Sequence, residues 1–420
     1  MRNIKHLKKA TAVLCAAVIS FSTASCGNLD AEKLDGSPAK VYTSTNKDSG
    51  STNKQAKAKN DSSSASTAEI KSEKEQPSYT CSLVCVGDNL IHDNIYKEAL
   101  KLGGGTNYDF TQAYEHVSKY IENTDVAVIN QETLVTDSVE PQSYPCFASP
   151  TAVGDKIVDL GFNVVSMCNN HVLDQGEDGL ISSLDYWDSK DVVHYGAYRS
   201  AKDADTIKTM EVNGITFAFL GYMEHTNGFF LSGDGAQVIY LDNEEKIKAQ
   251  IEEADKIADV VVVSCHYGTE ISNELNQQQV DLTPKLVDWG ADLIIGTQAH
   301  TISTCGYIDK PDGSKAFVYY GLGNFISTMY DTKSLVGIIG KLNVIKDPDT
   351  NIITFENAKA IPIISHFEAD SYYDDWYNCT VYPYAEYTDE LIEKNYVEGF
   401  TRQTIEDCLA YIPEEFLSIE

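Results

Sequence analysis

Short apolar runs rich in β-branched residues recur from residue 81 onward. They are "CSLVCVG" (81–87), "DVAVIN" (125–130), "FNVVSM" (162–167), "ITFAFLGY" (215–222), "DVVVVSC" (259–265), "ADLIIG" (291–296), "AFVYYGLG" (316–323) and "VGIIGKLNV" (336–344). Continuous apolar character, rather than strict alternation, predicts strands covered on both faces. Helical spacing fills several of the gaps. "SPTAVGDKIVDLG" (149–161) predicts a helix with Ser149 as N-cap, Pro150 in the first turn and Gly161 as the stop. "NEEKIKAQIEEADKIA" (243–258) and "NQQQVDLTPKLVDWG" (276–290) read the same way, with Pro284 expected to kink the second. The alternation predicts an α/β fold class with sheets covered by helices. The later runs follow one another strand after strand and suggest a second sheet with antiparallel pairs.

The pattern breaks at both ends. Residues 370–387, "DSYYDDWYNCTVYPYAEY", are aromatic and acidic, and 388–420 read as one or two helices. This segment, 366–420, is expected as an edge cover or small appendage to a domain spanning 80–365; a sugar- or polymer-contacting surface built on the tyrosines is the alternative. At the other end, "MRNIKHLKK" is a basic leader, "ATAVLCAAVISF" a short apolar core and "STASC" a small-residue ending. The segment 1–26 resembles a lipoprotein-type signal peptide in which Cys26 is lipidated, although Thr23 stands where leucine is usual. An ordinary signal peptide cut nearby is the other reading. Residues 27–79 are Ser, Thr, Lys, Asn and Ala with little to bury, and are expected to be a disordered tether reaching about 40 Å. The expected location is the outer face of the cell membrane, held by the lipid, or the secreted fraction.

Composition narrows the partners. The 420 residues carry 63 acidic and 32 basic side chains, a net charge of −31. Residues 81–420 hold 55 acids against 20 bases. Nucleic acid is excluded as a partner, since its phosphates require basic contacts. A polyanion would be repelled as well unless cations intervene. Ten cysteines are present without a CxxC. Cys81 and Cys85 share one strand face more than about 10 Å apart, too far to bridge, while Cys168 and Cys265 read as small core residues.

Polar groups gather where the apolar runs end. The first ends in "VGDN" with Asp88, the second in "INQET" with Asn130 and Glu132, and the third in "MCNNH" with Asn170 and His171. "SCHYGTE" supplies His266 and "IGTQAH" supplies His300. Ligands of open α/β sheets bind beyond the carboxyl ends of strands, and Asp, Glu, Asn and His are donors that divalent metals accept. One such residue is usually a turn or surface group; five in the same position form a metal-site pattern.

"VGDNLIHD", "NQET", "NNHVLDQGEDGL", "HYGTE", "GADLIIGTQAH" and "GLGNFI" together resemble the capsule-synthesis protein family typified by CapA, over about residues 81–330. That family makes poly-γ-glutamate capsule and is related to the calcineurin-like metallophosphatases. The resemblance implies two packed β-sheets flanked by helices, and divalent metal ions (Mn, Zn, Fe or Mg) in up to two sites. It implies Asp88, Glu132, Asn170, His266 and His300 as metal ligands and His171 as general acid. Asp174 and Glu270 are candidate acceptors behind the histidines. Three positions depart from the pattern. Leu90 stands where the phosphatases have a histidine, so His92 is a candidate substitute. Gln298 replaces the first histidine of the last motif, which weakens one cation site, and Ala299 replaces a proline. Asn324 is a candidate for orienting a ligand, whereas "KLGGGTNYDF" (101–110) lacks a Walker lysine and reads as a loop.

The expected function is synthesis or export of an anionic envelope polymer of poly-γ-glutamate type, with the polymer or its synthesis machinery as partner and the membrane reached through the lipid anchor. If catalytic, the chain is a metal-dependent hydrolase of a phosphoester or amide. A non-catalytic polymer-binding scaffold and a generic exported phosphoesterase remain as alternatives.

Overall fold

The computed structural model describes residues 79–370 and 376–420. The expected signal segment, Cys26 and the tether lie outside the described residues, apart from Tyr79, which opens the first strand. Sixteen strands follow in chain order. They are β1 (Tyr79–Asn89), β2 (Val126–Asn130), β3 (Val164–Ser166), β4 (Val193–Tyr195), β5 (Ala197–Tyr198), β6 (Lys208–Val212), β7 (Ile215–Met223) and β8 (Gln237–Val238), then β9 (Val260–Tyr267), β10 (Leu293–Gln298), β11 (Cys305–Asp309), β12 (Lys315–Tyr319), β13 (Asn324–Ile326), β14 (Val336–Lys346), β15 (Ile353–Ala369) and β16 (Trp376–Pro383). One sheet runs β16-β15-β14-β1-β2-β3-β4, with β13 added at the end of β1; the other runs β11-β12-β10-β9-β7-β6. β5 and β8 pair separately.

Side-chain alternation shows why the apolar runs are continuous. In β9, Val260 and Val262 join the large core shared with the first sheet, while Val261, Val263 and Cys265 join a second core. Phe217 and Phe219 of β7 and Leu293 and Ile295 of β10 divide the same way from Ala218, Leu220 and Ile294. The second core is closed by Ile247 and Ile251 of the helix Glu244–Ile257 and by Leu282 and Leu286 of the helix Gln277–Trp289. Both faces of these strands are therefore buried, the layered α/β arrangement that the pattern predicts. Each fully buried Val in such a strand contributes about 1.5–3 kcal/mol relative to exposure.

Four local expectations change. The second sheet holds antiparallel pairs, β11 with β12 and β6 with β7, but the last long run joins the first sheet: β14 pairs with β1 from Tyr79↔Lys346 to Val86↔Ile339, and β15 and β16 extend outward from it. β1 takes β2 in parallel on one side, which leaves its other edge to the returning chain. Ser149 does not cap a helix, because its hydroxyl donates to Thr133 Oγ1 at 2.7 Å; Pro150 occupies the cap of Thr151–Asp159. The helix Gln277–Trp289 continues through Pro284, held by the capping box of Asn276 and Gln279 and by the packing of Leu282, Leu286 and Val287. Finally, the boundary expected at 365/366 falls inside β15, and the following strand β16 pairs along it. Ala360 N–H also donates to the carbonyl of Phe416 at 2.8 Å, which ties the chain end to the sheet. Among the described residues no helix is long and apolar enough to cross a membrane.

Candidate metal centre

Parallel pairing sets the polar strand ends side by side. Asp88 lies opposite Asn130, which lies opposite Ser166 in the next strand. In the second sheet His266 lies opposite Thr297 on one side and Met223 on the other. The loops beyond β2, β3 and β10 then carry Glu132, Asn170 with His171, and His300 to the same edge. Donor atoms of Asp88, Glu132 and His300 all lie within 4.8 Å of one another, and the three residues are buried.

Asp88 Oδ1 accepts from Asn130 Nδ2 at 2.7 Å, and Oδ2 faces His300 Nδ1 at 3.1 Å. Glu132 Oε1 is 3.8 Å from both His266 Nε2 and His300 Nε2. Asn170 Oδ1 is 3.1 Å from His266 Nε2, so the amide joins the same cluster. Behind it, Thr297 Oγ1 holds His266 Nδ1 at 2.8 Å and Asn324 Oδ1 holds His300 Nδ1 at 3.0 Å. Outer partners of this kind fix ring orientation in metal-binding histidines.

Burial and charge act in opposite directions on these groups. Burial raises the Glu132 carboxyl well above its usual range, and the neighbouring Asp88 raises it further. Asp88 is held low: burial opposes its ionisation, but His300 and Asn130 outweigh that. Burial likewise lowers His300, yet Glu132 and Asp88 lift it to about 10. His266 is pushed down to about 3 by burial and stays neutral, the form that binds metal. The backbone is strained at the same place. Gln298 has φ 91° and His300 φ 55°, and the β-branched Ile271, whose N–H donates to Ala299 O at 2.8 Å, has φ 59°. Such conformations cost about 1–3 kcal/mol each and persist where the surroundings impose them.

His171 stands beside this cluster. Its Nδ1 is 2.7 Å from Asp174 Oδ2, which also accepts the Phe147 N–H at 2.6 Å, and its ring meets Phe147 edge-on at 4.8 Å. Asp174 is thus placed to orient His171, and Glu270 accepts from Gln298 Nε2 at 3.1 Å. His92 does not join the three converging donors: its Nδ1 accepts the Thr328 N–H at 3.3 Å. Leu90 is buried and its N–H donates to Ile326 O. Asn130 was visible at a strand end, but Thr297, Phe147 and Asn227 were not legible as site residues. Asn227, whose Nδ2 is 3.3 Å from His171 Nδ1, comes from the loop after β7, where no strand pattern marks it.

The residues present fit a divalent cation. Both oxygens of Glu132 are buried without a hydrogen-bond partner, as is Gln298 Oε1, and Asp88 Oδ2 has the His300 ring nitrogen beside it at 3.1 Å. Unpaired buried carboxylate oxygens are costly, and a cation between Asp88 and Glu132 would relieve that cost.

The bacterial capsule synthesis protein family, PGA_cap, matches residues 82–329, more than half of the chain. The chain belongs to this family. Two capsule synthesis relatives are similar in sequence: the PGA biosynthesis protein CapA of Bacillus subtilis (strain 168), 32% identical over 169 residues, covering 40% of this chain and 43% of that one; and the capsule biosynthesis protein CapA of Bacillus anthracis, 28% identical over 231 residues, covering 53% and 54%. The chain therefore matches about half the length of these relatives. Solved structures that resemble this family member include the NAD nucleotidase of Haemophilus influenzae, 12% identical with a TM-score of 0.43, covering 82% of this chain and 58% of that one. A phosphatase of Mycoplasma pneumoniae is 14% identical with a TM-score of 0.41, covering 69% and 95%.

Proposed function

We propose that this chain is an exported, lipid-anchored capsule synthesis protein that holds divalent cations at the strand-end cluster and acts on an anionic envelope polymer or its synthesis machinery. The observation that carries the reading is the convergence of the buried carboxylates of Asp88 and Glu132, the latter without a hydrogen-bond partner, with the imidazole of His300. Asp88, Glu132, Asn170, His266 and His300 would hold the metal. When bound, a divalent cation supplies Lewis acidity to a phosphoryl or acyl oxygen and offsets the acidic surface. His171 does the proton work. With Asp174 accepting at Nδ1, the imidazolium presents its second proton at Nε2 to a leaving group. Export and anchorage rest on the basic leader, the short apolar run and Cys26.

Calorimetric titration of the purified chain with Mn²⁺ tests the site. Binding that His300→Ala or Glu132→Ala weakens by about tenfold or more supports it, by the scale of metal-site substitutions; no binding by the natural chain sinks it. Hydrolysis of bis-p-nitrophenyl phosphate that His171→Ala abolishes supports the catalytic role. Gln298 favours a second reading, a scaffold that lost one cation site, because imidazole is absent where the family's last motif has it. Hydrolysis that appears only in Gln298→His would favour that reading. Labelled fatty acid incorporated by the natural chain and lost in Cys26→Ser tests the anchor.

A further inference from the structure

The loop after β7 turns on two consecutive residues with left-handed backbone, Asn227 at φ 51° and Gly228 at φ 82°. Phe229 N–H donates to Thr226 O at 2.9 Å and closes a four-residue turn around them. Positive φ at both central positions marks a type I′ turn, for which Asn-Gly is the favoured pair. Thr226 anchors the turn. It is 1% exposed, and its hydroxyl donates to Phe229 O at 2.5 Å while accepting from Tyr240 Oη at 2.8 Å. Tyr240 bridges to Met223, the last residue of β7, and Leu241 N–H donates to Met223 O at 2.9 Å. The turn is thereby fixed to the end of β7, one strand away from His266.

Backbone geometry accounts for the Asn-Gly pair, but it does not require what the Asn227 side chain does. Its Oδ1 accepts from Asn170 Nδ2 at 3.3 Å. Asn170 is 3% exposed, and its other end, Oδ1, lies 3.1 Å from His266 Nε2 inside the cluster. A carboxamide carries an acceptor at one end and two donors at the other. Only the carbonyl end can bind a cation; turned over, Asn170 would aim N–H protons at it. Among the described residues, Asn227 Oδ1 is the one acceptor that Asn170 Nδ2 has. Asn227 Nδ2 lies 3.3 Å from His171 Nδ1, whose proton goes to Asp174, so the bond open to Asn227 is the one its oxygen accepts. Resting on the cation site above, we propose that Asn227 is a positioning residue: by accepting from the Asn170 amide nitrogen, it keeps the Asn170 carbonyl turned toward the cation.

Two substitutions separate this role from that of the turn. Glycine adopts positive φ without strain, so Asn227→Gly keeps the turn and removes the acceptor. Asn227→Asp keeps an oxygen that can accept the same N–H. The full chain and both variants are titrated with Mn²⁺ by calorimetry, and their melting temperatures are compared without metal. Asn227→Gly is expected to bind Mn²⁺ about ten- to a hundredfold more weakly, the scale for residues that orient a metal ligand, with its metal-free melting temperature unchanged. Asn227→Asp is expected to recover most of that loss. Natural Mn²⁺ affinity in Asn227→Gly overturns the proposal, and a lowered melting temperature beside it would mark Asn227 as a turn residue alone. Asn227→Asp binding no better than Asn227→Gly overturns it as well. The cation site itself fails only if the natural chain binds no Mn²⁺, so the two readings are told apart by which chain loses the metal.

Discussion

Glu132 is fully buried with neither carboxylate oxygen hydrogen-bonded, and Asp88 lies in the same cluster. In the absence of metal, Glu132→Gln removes a buried carboxyl whose oxygens have no hydrogen-bond partner and which crowds Asp88. The variant is expected to be more stable than the natural chain by about 1–3 kcal/mol in a chelator-treated sample, the cost of an unsatisfied buried group. Added Mn²⁺ should raise the melting temperature of the natural chain and leave the variant little changed, by about 2.7 kcal/mol at a hundredfold excess over the dissociation constant. Melting curves with and without Mn²⁺ check both; a variant no more stable than the natural chain under chelation would refute the first. At this scale much of the cluster was legible. Asp88, Glu132, Asn170, His266 and His300 each end or follow an apolar run, and parallel strands in one sheet terminate at a common edge. Asn324, read as a residue that could orient a ligand, holds His300 Nδ1; Thr297 was harder, because its role is to hold a nitrogen of His266, which the sequence does not place beside it.

Between elements, the close approach of β1 to the turn before β13 sets where Asp88 and Asn324 stand. Asp88 pairs with Asn324, and the residue before each is glycine. A Cβ on Gly87 would lie 1.8 Å from Gly323 O, and one on Gly323, at φ 67°, would lie 2.7 Å from Val336 O. Backbone has to move in either case. Gly87→Ala is expected to destabilise the fold by at least about 1–3 kcal/mol, the range for overpacking, and to weaken Mn²⁺ binding because Asp88 shifts with it. Urea unfolding and metal titration of the variant check this, and an unchanged midpoint would contradict it. Long runs such as Val260–Tyr267 were readable as strands from composition alone. β13 and β4, three residues each, are too short for any period to show, and β16 was obscured by its acids and tyrosines.

At the scale of the whole molecule, the chain end is part of the sheet. Truncation after residue 365 would cut β15 in mid-strand and remove β16 together with the helix Arg402–Leu409 that buries Ile405 and Leu409. The truncated chain is expected to lose cooperative thermal unfolding; a sharp transition near that of the full chain would argue for a separable extension. Acid should also weaken the fold. Burial holds His194 and His366 below the usual imidazole value, even with Asp188 and Glu368 beside them. Each binds a proton more readily when unfolded, so stability rises with pH across that range. Their contribution is complete above about pH 6.5, the unfolded histidine value, and is lost as pH falls below it toward each folded value. Urea midpoints that fall on acidification, and fall less in His366→Gln, are the expected result, and a flat profile would contradict it.

The sequence by itself determined the α/β layering and the edge at which the chemistry collects. Both follow from local facts: strands buried on both faces must be apolar throughout, and residues that leave such strands are free to be polar. Which sheet the late strands join, and which oxygens remain without a partner, depended on tertiary structure alone. Strand pairing and hydrogen-bond saturation are set by residues hundreds of positions apart, as between Tyr79 and Lys346, and no local pattern records them.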